Sequence, residues 1–162
     1  MTNDIFIRQI QTGDDKIIAG IIRSSLKEFN AAKPGTVYFD DTTDHLTKSF
    51  LVNRSAYFIA TINDEVVGGG GIYPTKGLPQ DTCELVKLYL SPAARGKGLG
   101  KLLIEYCIKA AVKHNYKKMY LETMPELIAA LPLYEKLGFT YIDGPMGNSG
   151  HNGCSLWMIK RL

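Results

Sequence analysis

A basic, glycine-rich turn between a strand pattern and a helix pattern constrains this chain more than any other feature. The sequence TCELVKLYL predicts a strand at residues 82–90, which Ser91-Pro92 ends because proline cannot continue the strand pairing. From Lys97 onward, apolar residues recur at helical spacing. Between the two patterns lies the turn Arg95-Gly96-Lys97-Gly98-Leu99-Gly100.

The turn has the properties of a phosphate-binding site. Unpaired N–H groups at the start of a helix attract anions, and the helix dipole adds to this attraction. The glycines of the turn lack a Cβ, so a ligand can approach the backbone closely. Arg95, Lys97 and Lys101 add positive charge at the same place.

Two nucleotide-binding motifs with similar glycine patterns do not fit this turn. A dinucleotide-binding fingerprint needs glycine where this chain has Lys101. A P-loop needs glycine at Arg95 and a hydroxyl residue at Leu102. A glycine-rich turn taken alone more often only caps a helix, so the function depends on further residues.

Length and composition bound the class of protein. The 162 residues, 45% hydrophobic and 22% charged, predict one compact domain spanning residues 1–162. A net charge of +3 is too small to indicate a nucleic-acid partner, although it favours a polyanionic small molecule. No segment resembles a signal peptide or a membrane span, and the 3 separated cysteines indicate reduced thiols. We therefore expect a cytoplasmic protein without a membrane or nucleic-acid partner.

Hydrophobic periodicity predicts an α+β fold. Strand patterns occur at residues 5–10, 56–62, 66–73, 82–90, 118–122, 139–143 and 154–160, and helix patterns at 17–29, 44–51, 97–110 and 126–137. The run Gly68–Gly71 inside a strand indicates a β-bulge or a surface that a ligand approaches closely. A capping-box pattern at Thr123–Glu126 is expected to begin the last helix, with Pro132 bending it or delaying its start.

The segment Leu88–Leu103, LYLSPAARGKGLGKLL, resembles the acyl-CoA-binding motif of the GNAT acetyltransferase superfamily. Arg95, Gly98 and Gly100 match its pattern of Arg or Gln, two residues, Gly, one residue, and Gly or Ala. A second family element is found at residues 133–139 (LYEKLGF), and the order of strands and helices also follows that fold. The resemblance implies a bent, mostly antiparallel sheet of about seven strands, flanked by helices and splayed after the strand ending at Leu90.

The resemblance also implies acetyl-CoA as the cosubstrate, bound mostly by the main chain. Its pantetheine arm is expected on the strand end and its pyrophosphate on the turn. The residues implied in binding are Leu88, Tyr89, Leu90, Arg95, Gly96, Lys97, Gly98, Leu99, Gly100 and Lys101. Many members have an asparagine after the fifth strand that contacts the cofactor, but Leu127 stands nearest that place here.

Three further residues are implied in catalysis by the resemblance. Glu84 stands where the family often has the general base that deprotonates the acceptor amine, and Glu122 stands where a second variant has it. Tyr134 aligns with the tyrosine expected to protonate the departing thiolate. The N–H of Leu90 is the expected donor to the carbonyl oxygen of the thioester.

Several histidine, cysteine and acidic residues are further candidates for contacting the acceptor, for catalysis or for binding a metal. His151 is expected to touch the acceptor amine. A Cys154 nucleophile with His151 as its base is conceivable, but three residues apart on an extended chain they point to opposite faces. The histidines and cysteines offer no second pair at ligand spacing, so no metal is expected. Loop acids that could attract a cationic amine are Asp40, Asp41 and Asp143.

These residues together predict an enzyme that transfers an acetyl group from acetyl-CoA to a primary amine by direct attack. The acceptor is a small molecule or a protein, and relatives often form homodimers. Two other functions stay open: an acyl-CoA-binding module without catalysis, and a hydrolase that cleaves CoA thioesters with water.

Overall fold

The computed structural model describes residues 2–127 and 129–162, and these form a sheet with helices on both faces. The strands are β1 (Ile5–Gln9), β2 (Ala56–Ile62), β3 (Glu65–Tyr73), β4 (Thr82–Leu90), β5 (Lys118–Thr123), β6 (Thr140–Ile142) and β7 (Leu156–Arg161). The 7-stranded sheet has the order β1-β2-β3-β4-β5-β7-β6, and only the β4–β5 pair is parallel. The predicted α+β, mostly antiparallel architecture is confirmed.

The α-helices lie between the strands in chain order. They are α1 (Asp15–Glu28), α2 (Leu46–Ser49), α3 (Leu99–Lys113) and α4 (Leu131–Lys136). Helix α1 contacts β3 and β4, whereas α3 contacts β2, β3 and β4. No helix of residues 2–127 and 129–162 is both long enough and apolar enough to cross a membrane.

Successive side chains of the central strands point to opposite faces of the sheet, so the hydrophobic core is divided into two clusters, one on each face. On β2, Phe58 and Ala60 belong to the cluster that contains α3, whereas Tyr57 and Ile59 belong to the cluster that contains α1. Fully buried leucines and isoleucines from both helices fill these clusters. Each such side chain contributes about 1.5–3 kcal/mol when it is removed from water.

The sheet splays beside β4, as predicted. The register between β4 and β5 covers only Thr82 to Glu84, paired with residues 118–120. The remainder of β4 pairs with β3 alone. The β5-facing edge of residues 85–90 therefore borders an opening rather than another strand.

A β-bulge in β4 lies next to this opening. The register with β3 shifts between Gly69 and Gly71, so that one glycine of β3 faces two residues of β4. Lys87 occupies the bulge with a φ of 50°, which is unusual for a residue with a side chain. The bulge indicated by the glycine run is confirmed, although the extra residue belongs to the neighbouring strand.

The glycine run also makes room for the ring of Tyr57. A Cβ at Gly69 would lie 2.6 Å from Tyr57 Cε1, and a Cβ at Gly71 would lie 2.7 Å from Tyr57 Cδ2. The ring thus lies flat against β3, and its hydroxyl donates a hydrogen bond of 2.7 Å to the carbonyl oxygen of Lys87. Glycines in β3 therefore let a residue of β2 support the bulge in β4.

The prediction that the Thr123–Glu126 pattern begins the last helix is wrong. Pro125–Leu127 form only a 3₁₀ turn, and α4 starts at Leu131 with Pro132 in its first turn. Proline is tolerated there because the first N–H groups of a helix have no partner within it. The delayed start that Pro132 suggested is confirmed.

Candidate active site

Two adjoining cavities lie beside the splayed part of β4. The first, called the cleft, has a volume of about 440 Å³ and lies between β4, the turn at residues 95–101 and the end of β5. The second, called the side cavity, has a volume of about 670 Å³ and is lined by side chains from segments 40–52, 73–76 and 148–151. Residues that line both cavities are Glu84, Val86, Lys87 and His151.

The glycine-rich turn forms one end of the cleft and leads into α3. Gly96 and Gly98 have φ values of 75° and 76°, and Gly98 is the N-cap of the helix. Within 4 Å of an added Cβ at either glycine there is no described atom beyond its chain neighbours, so the backbone is accessible from outside. The turn thus presents main-chain N–H groups at a helix N-terminus, which suits a phosphate group.

The side chain of Arg95 holds the turn in place instead of offering a free charge to a ligand. Its guanidinium forms an ion pair with Glu28 and donates a hydrogen bond of 3.1 Å to the carbonyl oxygen of Leu90. It also lies over the ring of Phe29, 5.0 Å from its centroid. Of the other cations of the turn, Lys101 lies 3.9 Å from Glu105, and Lys97 forms no ion pair within the described residues. The positive charge available to a ligand is therefore that of the two lysines.

The edge of β4 from Glu84 to Leu90 forms a wall of the cleft. Leu88 and Leu90 pack against the α3-side core, whereas the ring of Tyr89 packs against the α1-side core. Tyr89 therefore contributes its backbone to the wall rather than an accessible hydroxyl. The structure brings the predicted cofactor-binding residues 88–90 and 95–101 to the same cleft, except that Lys97 does not line it.

Glu84 lies where the cleft and the side cavity adjoin, and its environment favours the protonated acid. The residue is 3% exposed, and burial raises the pKa of its carboxyl from 4.5 to about 7, with the nearby charge of Glu122 acting in the same direction. A hydrogen bond of 2.6 Å from the Thr75 hydroxyl opposes this shift in pKa. A carboxyl of this kind exchanges a proton near neutral pH, which suits a general base.

Glu122, at the end of β5, has different partners. Its carboxylate accepts a hydrogen bond of 2.7 Å from the Tyr120 hydroxyl and another from the Ser149 hydroxyl. The two predicted base candidates therefore lie close together but differ in how they are hydrogen-bonded.

His151 joins this pair of carboxylates from the loop before β7. One ligand atom from each of Glu84, Glu122 and His151 lies within 4.8 Å of the others, a spacing compatible with a metal ion. Each of the three, however, already has a hydrogen-bond partner in the protein. The arrangement is thus complete as a hydrogen-bonded network.

Asp40 connects His151 to Lys87, a contact that the sequence did not suggest. Its carboxylate accepts hydrogen bonds from His151 Nε2 at 2.9 Å and from Lys87 Nζ at 3.3 Å. The hydrogen bond from His151 is the largest cause holding the pKa of Asp40 well below its usual range. Asp40 is therefore already paired with Lys87 and hydrogen-bonded to His151, whereas the sequence suggested that it could attract an amine. Of the other loop acids named for that role, Asp41 lines the side cavity and Asp143 lines neither cavity.

Tyr134 lines the cleft from the side of α4. The residue is 7% exposed, its ring packs edge-on against Phe139, and burial raises the pKa of its hydroxyl to about 12. Among residues 2–127 and 129–162, no side chain or backbone group forms a hydrogen bond with this hydroxyl. The hydroxyl keeps its proton at neutral pH and lies at the cleft with that proton available to a ligand.

Comparison with known proteins identifies the family. The sequence model of the family described as "Acetyltransferase (GNAT) family" matches residues 20–139, which are most of the chain. The chain belongs to the GNAT acetyltransferase family. It is 39% identical over 157 residues to the uncharacterized N-acetyltransferase YjgM of Escherichia coli strain K12, covering 96% of this chain and 94% of that protein. The protein is accordingly an acyltransferase that uses acetyl-CoA as its cosubstrate.

Solved structures agree with the fold of the GNAT family. An acetyltransferase of the GNAT family from Staphylococcus aureus Mu50 has a TM-score of 0.87 at 21% identity, with 98% of this chain and 99% of that chain covered. The PaiA N-acetyltransferase from Thermoplasma acidophilum, in complex with coenzyme A, has a TM-score of 0.74 at 20% identity, with 98% and 99% covered. The cleft beside β4 fits such a ligand because its glycine turn is open and its strand edge is unpaired with β5.

Two further residues line the GNAT cleft: Cys154, whose backbone differs from the sequence-based expectation, and Leu127, which differs from the family pattern. Residues 151–154 form a turn, with Cys154 N–H donating to His151 O at 3.3 Å, so the assumption of an extended chain is wrong. Burial raises the pKa of the Cys154 thiol to about 12, which keeps it protonated and a poor nucleophile. Leu127 lines the cleft at the place where many members have asparagine, and it offers only an apolar contact.

Proposed function

We propose that this protein acetylates a primary amine by direct attack on acetyl-CoA, with Glu84 as the general base and Tyr134 as the general acid. The observation that carries the proposal is the position of Glu84: a buried carboxyl with a pKa of about 7 that lines both cavities. An amine in the side cavity and a thioester in the cleft meet at this residue.

The cleft supports a specific placement of the cosubstrate. The diphosphate binds the N–H groups between Gly96 and Lys101, where the helix dipole and the lysines supply positive potential. The pantetheine arm lies along Leu88 to Leu90, beside the edge that β5 does not cover. Both contacts are made mainly by the backbone.

Glu84 is the better base because its proton affinity is higher than that of an ordinary carboxylate. An ammonium transfers its proton more readily to a carboxylate with a pKa near 7 than to one with the ordinary value of 4.5. Glu122 has two hydroxyl donors, from Tyr120 and Ser149. It therefore orients the amine or a water next to Glu84 and keeps the pKa of Glu84 high through its charge.

The reaction proceeds by proton transfers and bond changes at these residues. Glu84 takes the proton of the ammonium, directly or through water, and the amine nitrogen forms a bond to the acetyl carbon. The N–H of Leu90 stabilises the negative charge on the carbonyl oxygen. The carbon–sulfur bond then breaks, and Tyr134 donates its proton to the departing thiolate. The nitrogen of the new amide gives up its second proton, which restores the Tyr134 hydroxyl directly or through water.

Acceptor-dependent release of CoA tests the function. Purified protein is offered acetyl-CoA with a panel of primary amines, free thiol is measured, and the product is identified by mass spectrometry. We expect an acetylated amine and CoA in equal amounts. Equal CoA release without any amine would indicate a thioester hydrolase, and CoA binding without release would indicate a binding module.

The same assay separates the two glutamates. Glu84→Gln should lower kcat by about 10²-fold or more at neutral pH. Glu122→Gln keeps a hydrogen-bonding group at the same place and should lower kcat less. The reverse order of effects would assign the base to Glu122.

A further inference from the structure

Acidic side chains lie at the inner end of the side cavity, where it adjoins the cleft. Glu84 lines this end, and Glu122 lies beside it in the cleft. Among residues 2–127 and 129–162, the two carboxyl groups accept hydrogen bonds only from the hydroxyls of Thr75, Tyr120 and Ser149. Within residues 2–127 and 129–162, neither carboxylate forms an ion pair. The basic side chains next to them, Lys87 and His151, are both bound to Asp40.

The outer part of the same cavity has the opposite character. Lys48 and Lys76 both line it, both are exposed, and neither forms an ion pair with a carboxylate in the described part of the chain. His45 lines the same region, and Asp41 is the acid next to them. A small ligand thus meets carboxylates at its inner end and ammonium groups at its outer end.

The two lysines project from backbone segments that the fold holds in place. Lys48 is part of α2, which the fully buried Leu46 anchors to the core. The carbonyl oxygen of Lys76 accepts a hydrogen bond of 2.6 Å from Asn148 N–H in the loop that carries His151. The backbone that carries Lys48 and Lys76, a pair called here the cationic rim, is therefore held by the core and by the loop of His151.

We propose that the acceptor is a small amine that also carries an anionic group, as an amino acid does. Its amine lies at Glu84 and its anion lies between Lys48 and Lys76. This inference rests on the proposed function, because it assumes that the amine in the side cavity is acetylated. A polyamine or a lysine-rich peptide fits the cavity less well, because the rim lysines repel additional positive charge.

Matched pairs of acceptors test the charge preference. Each pair consists of an amino acid and the amine that results from removing its carboxylate, and spermidine serves as a polycationic probe. We expect kcat/KM to be about tenfold higher for the carboxylate-bearing member, the size of one charge-assisted contact. A preference for the decarboxylated amine or for spermidine would overturn the inference while leaving acetyl transfer intact.

Removing the charges of Lys48 and Lys76 tests whether these two lysines cause the preference for a carboxylate. In the double variant Lys48→Ala/Lys76→Ala, KM for the carboxylate-bearing acceptor should rise about tenfold with little change in kcat, so that the ratio within each pair falls towards one. The matched control is Lys16→Ala/Lys113→Ala, which removes two exposed lysines that line neither cavity. An unchanged ratio in the rim variant would overturn the inference.

A binding measurement keeps this inference distinguishable from the proposed function. Amino acids from the panel are titrated into the CoA-bound protein in a calorimeter, and the decarboxylated amines are titrated in the same way. Binding that needs the carboxylate and is lost in the rim variant supports the inference even if no acetylated product is formed. Absence of binding by every carboxylate-bearing acceptor overturns it, whether or not other amines are acetylated.

Discussion

At the scale of single residues, the buried carboxyl of Glu84 has a consequence for stability as well as for catalysis. Its pKa in the folded protein, about 7, is above the ordinary value of 4.5. The folded state therefore binds a proton more tightly than the unfolded chain does. The free energy of unfolding therefore falls as pH rises from about 4.5 through about 7, and above that range the whole contribution of the protonated Glu84 is lost.

Replacing this carboxyl should stabilise the protein at high pH. Glutamine does not ionise, so Glu84→Gln should gain stability relative to the natural protein at pH 8 but not at pH 5. The difference should be at most about 3.5 kcal/mol, because the pKa rises from 4.5 to about 7 and each pKa unit corresponds to about 1.4 kcal/mol. Urea unfolding at both pH values measures it, with the exposed Glu65→Gln as control. An equal effect of Glu84→Gln at pH 5 and pH 8 would contradict the raised pKa.

The hydroxyl of Tyr134 provides a second test at this scale. Tyr134→Phe should reduce kcat by about 10²-fold, because the departing thiolate loses its proton donor. Affinity for acetyl-CoA and thermal stability should change little, since no described group forms a hydrogen bond with that hydroxyl. Steady-state kinetics and CoA titration check this, with Tyr106→Phe on the outer side of α3 as control. A normal kcat in Tyr134→Phe removes this residue from the proposed chemistry.

At the scale of elements, the glycine run in β3 supports the bulge in β4 through Tyr57. A Cβ at Gly69 would lie 2.6 Å from the Tyr57 ring and 2.7 Å from the carbonyl oxygen of Phe58, closer than side chains pack. We therefore expect Gly69→Ala to destabilise the protein by about 1–3 kcal/mol through overpacking. Gly20→Ala, at an exposed position of α1 with open space around it, should instead stabilise by about 0.5–1 kcal/mol. Chemical unfolding of both variants measures the contrast, and equal effects would show that β3 tolerates a side chain at this position.

Some elements could be predicted from sequence because their causes are local. The turn at residues 95–100 and the delayed start of α4 follow from glycine and proline, whose backbone preferences act within a few residues. The bulge could be indicated only by its glycines, since nothing in the sequence marks Lys87 as a residue with positive φ. The capping-box pattern failed because a 3₁₀ turn can use the same residues as the first turn of an α-helix.

At the scale of the whole molecule, the contacts that complete the site join distant segments. Asp40 and His151 are separated by 111 residues, so no local pattern could indicate their hydrogen bond. Glu84, Glu122 and Tyr134 could be named because the family resemblance assigns positions to them. Their shared location depends on the order β4-β5-β7, which brings the middle and the end of the chain together.

The opening between β4 and β5 leads to a prediction about cooperativity. We propose that residues 1–162 form one domain, since strands on both sides of the opening contribute to the same α3-side core, with Leu85 from β4 and Leu121 from β5. Calorimetric unfolding should therefore show one transition whose van't Hoff and calorimetric enthalpies agree. Two transitions would mean that the parts on either side of the opening unfold separately.

Acetyl-CoA should stabilise this single unit by bridging the opening. A ligand that binds only the folded state adds about 2.7 kcal/mol at a concentration of 100 times its Kd, so the transition should move to higher temperature. Gly98→Val should remove most of this shift, because the side chain occupies the open approach to the turn and strains a φ of 76°. Gly150→Val, at another open glycine with a φ of 80°, carries similar strain away from the turn and should keep the shift. If Gly98→Val kept the full shift, the phosphate groups of acetyl-CoA would have to bind elsewhere than at the start of α3.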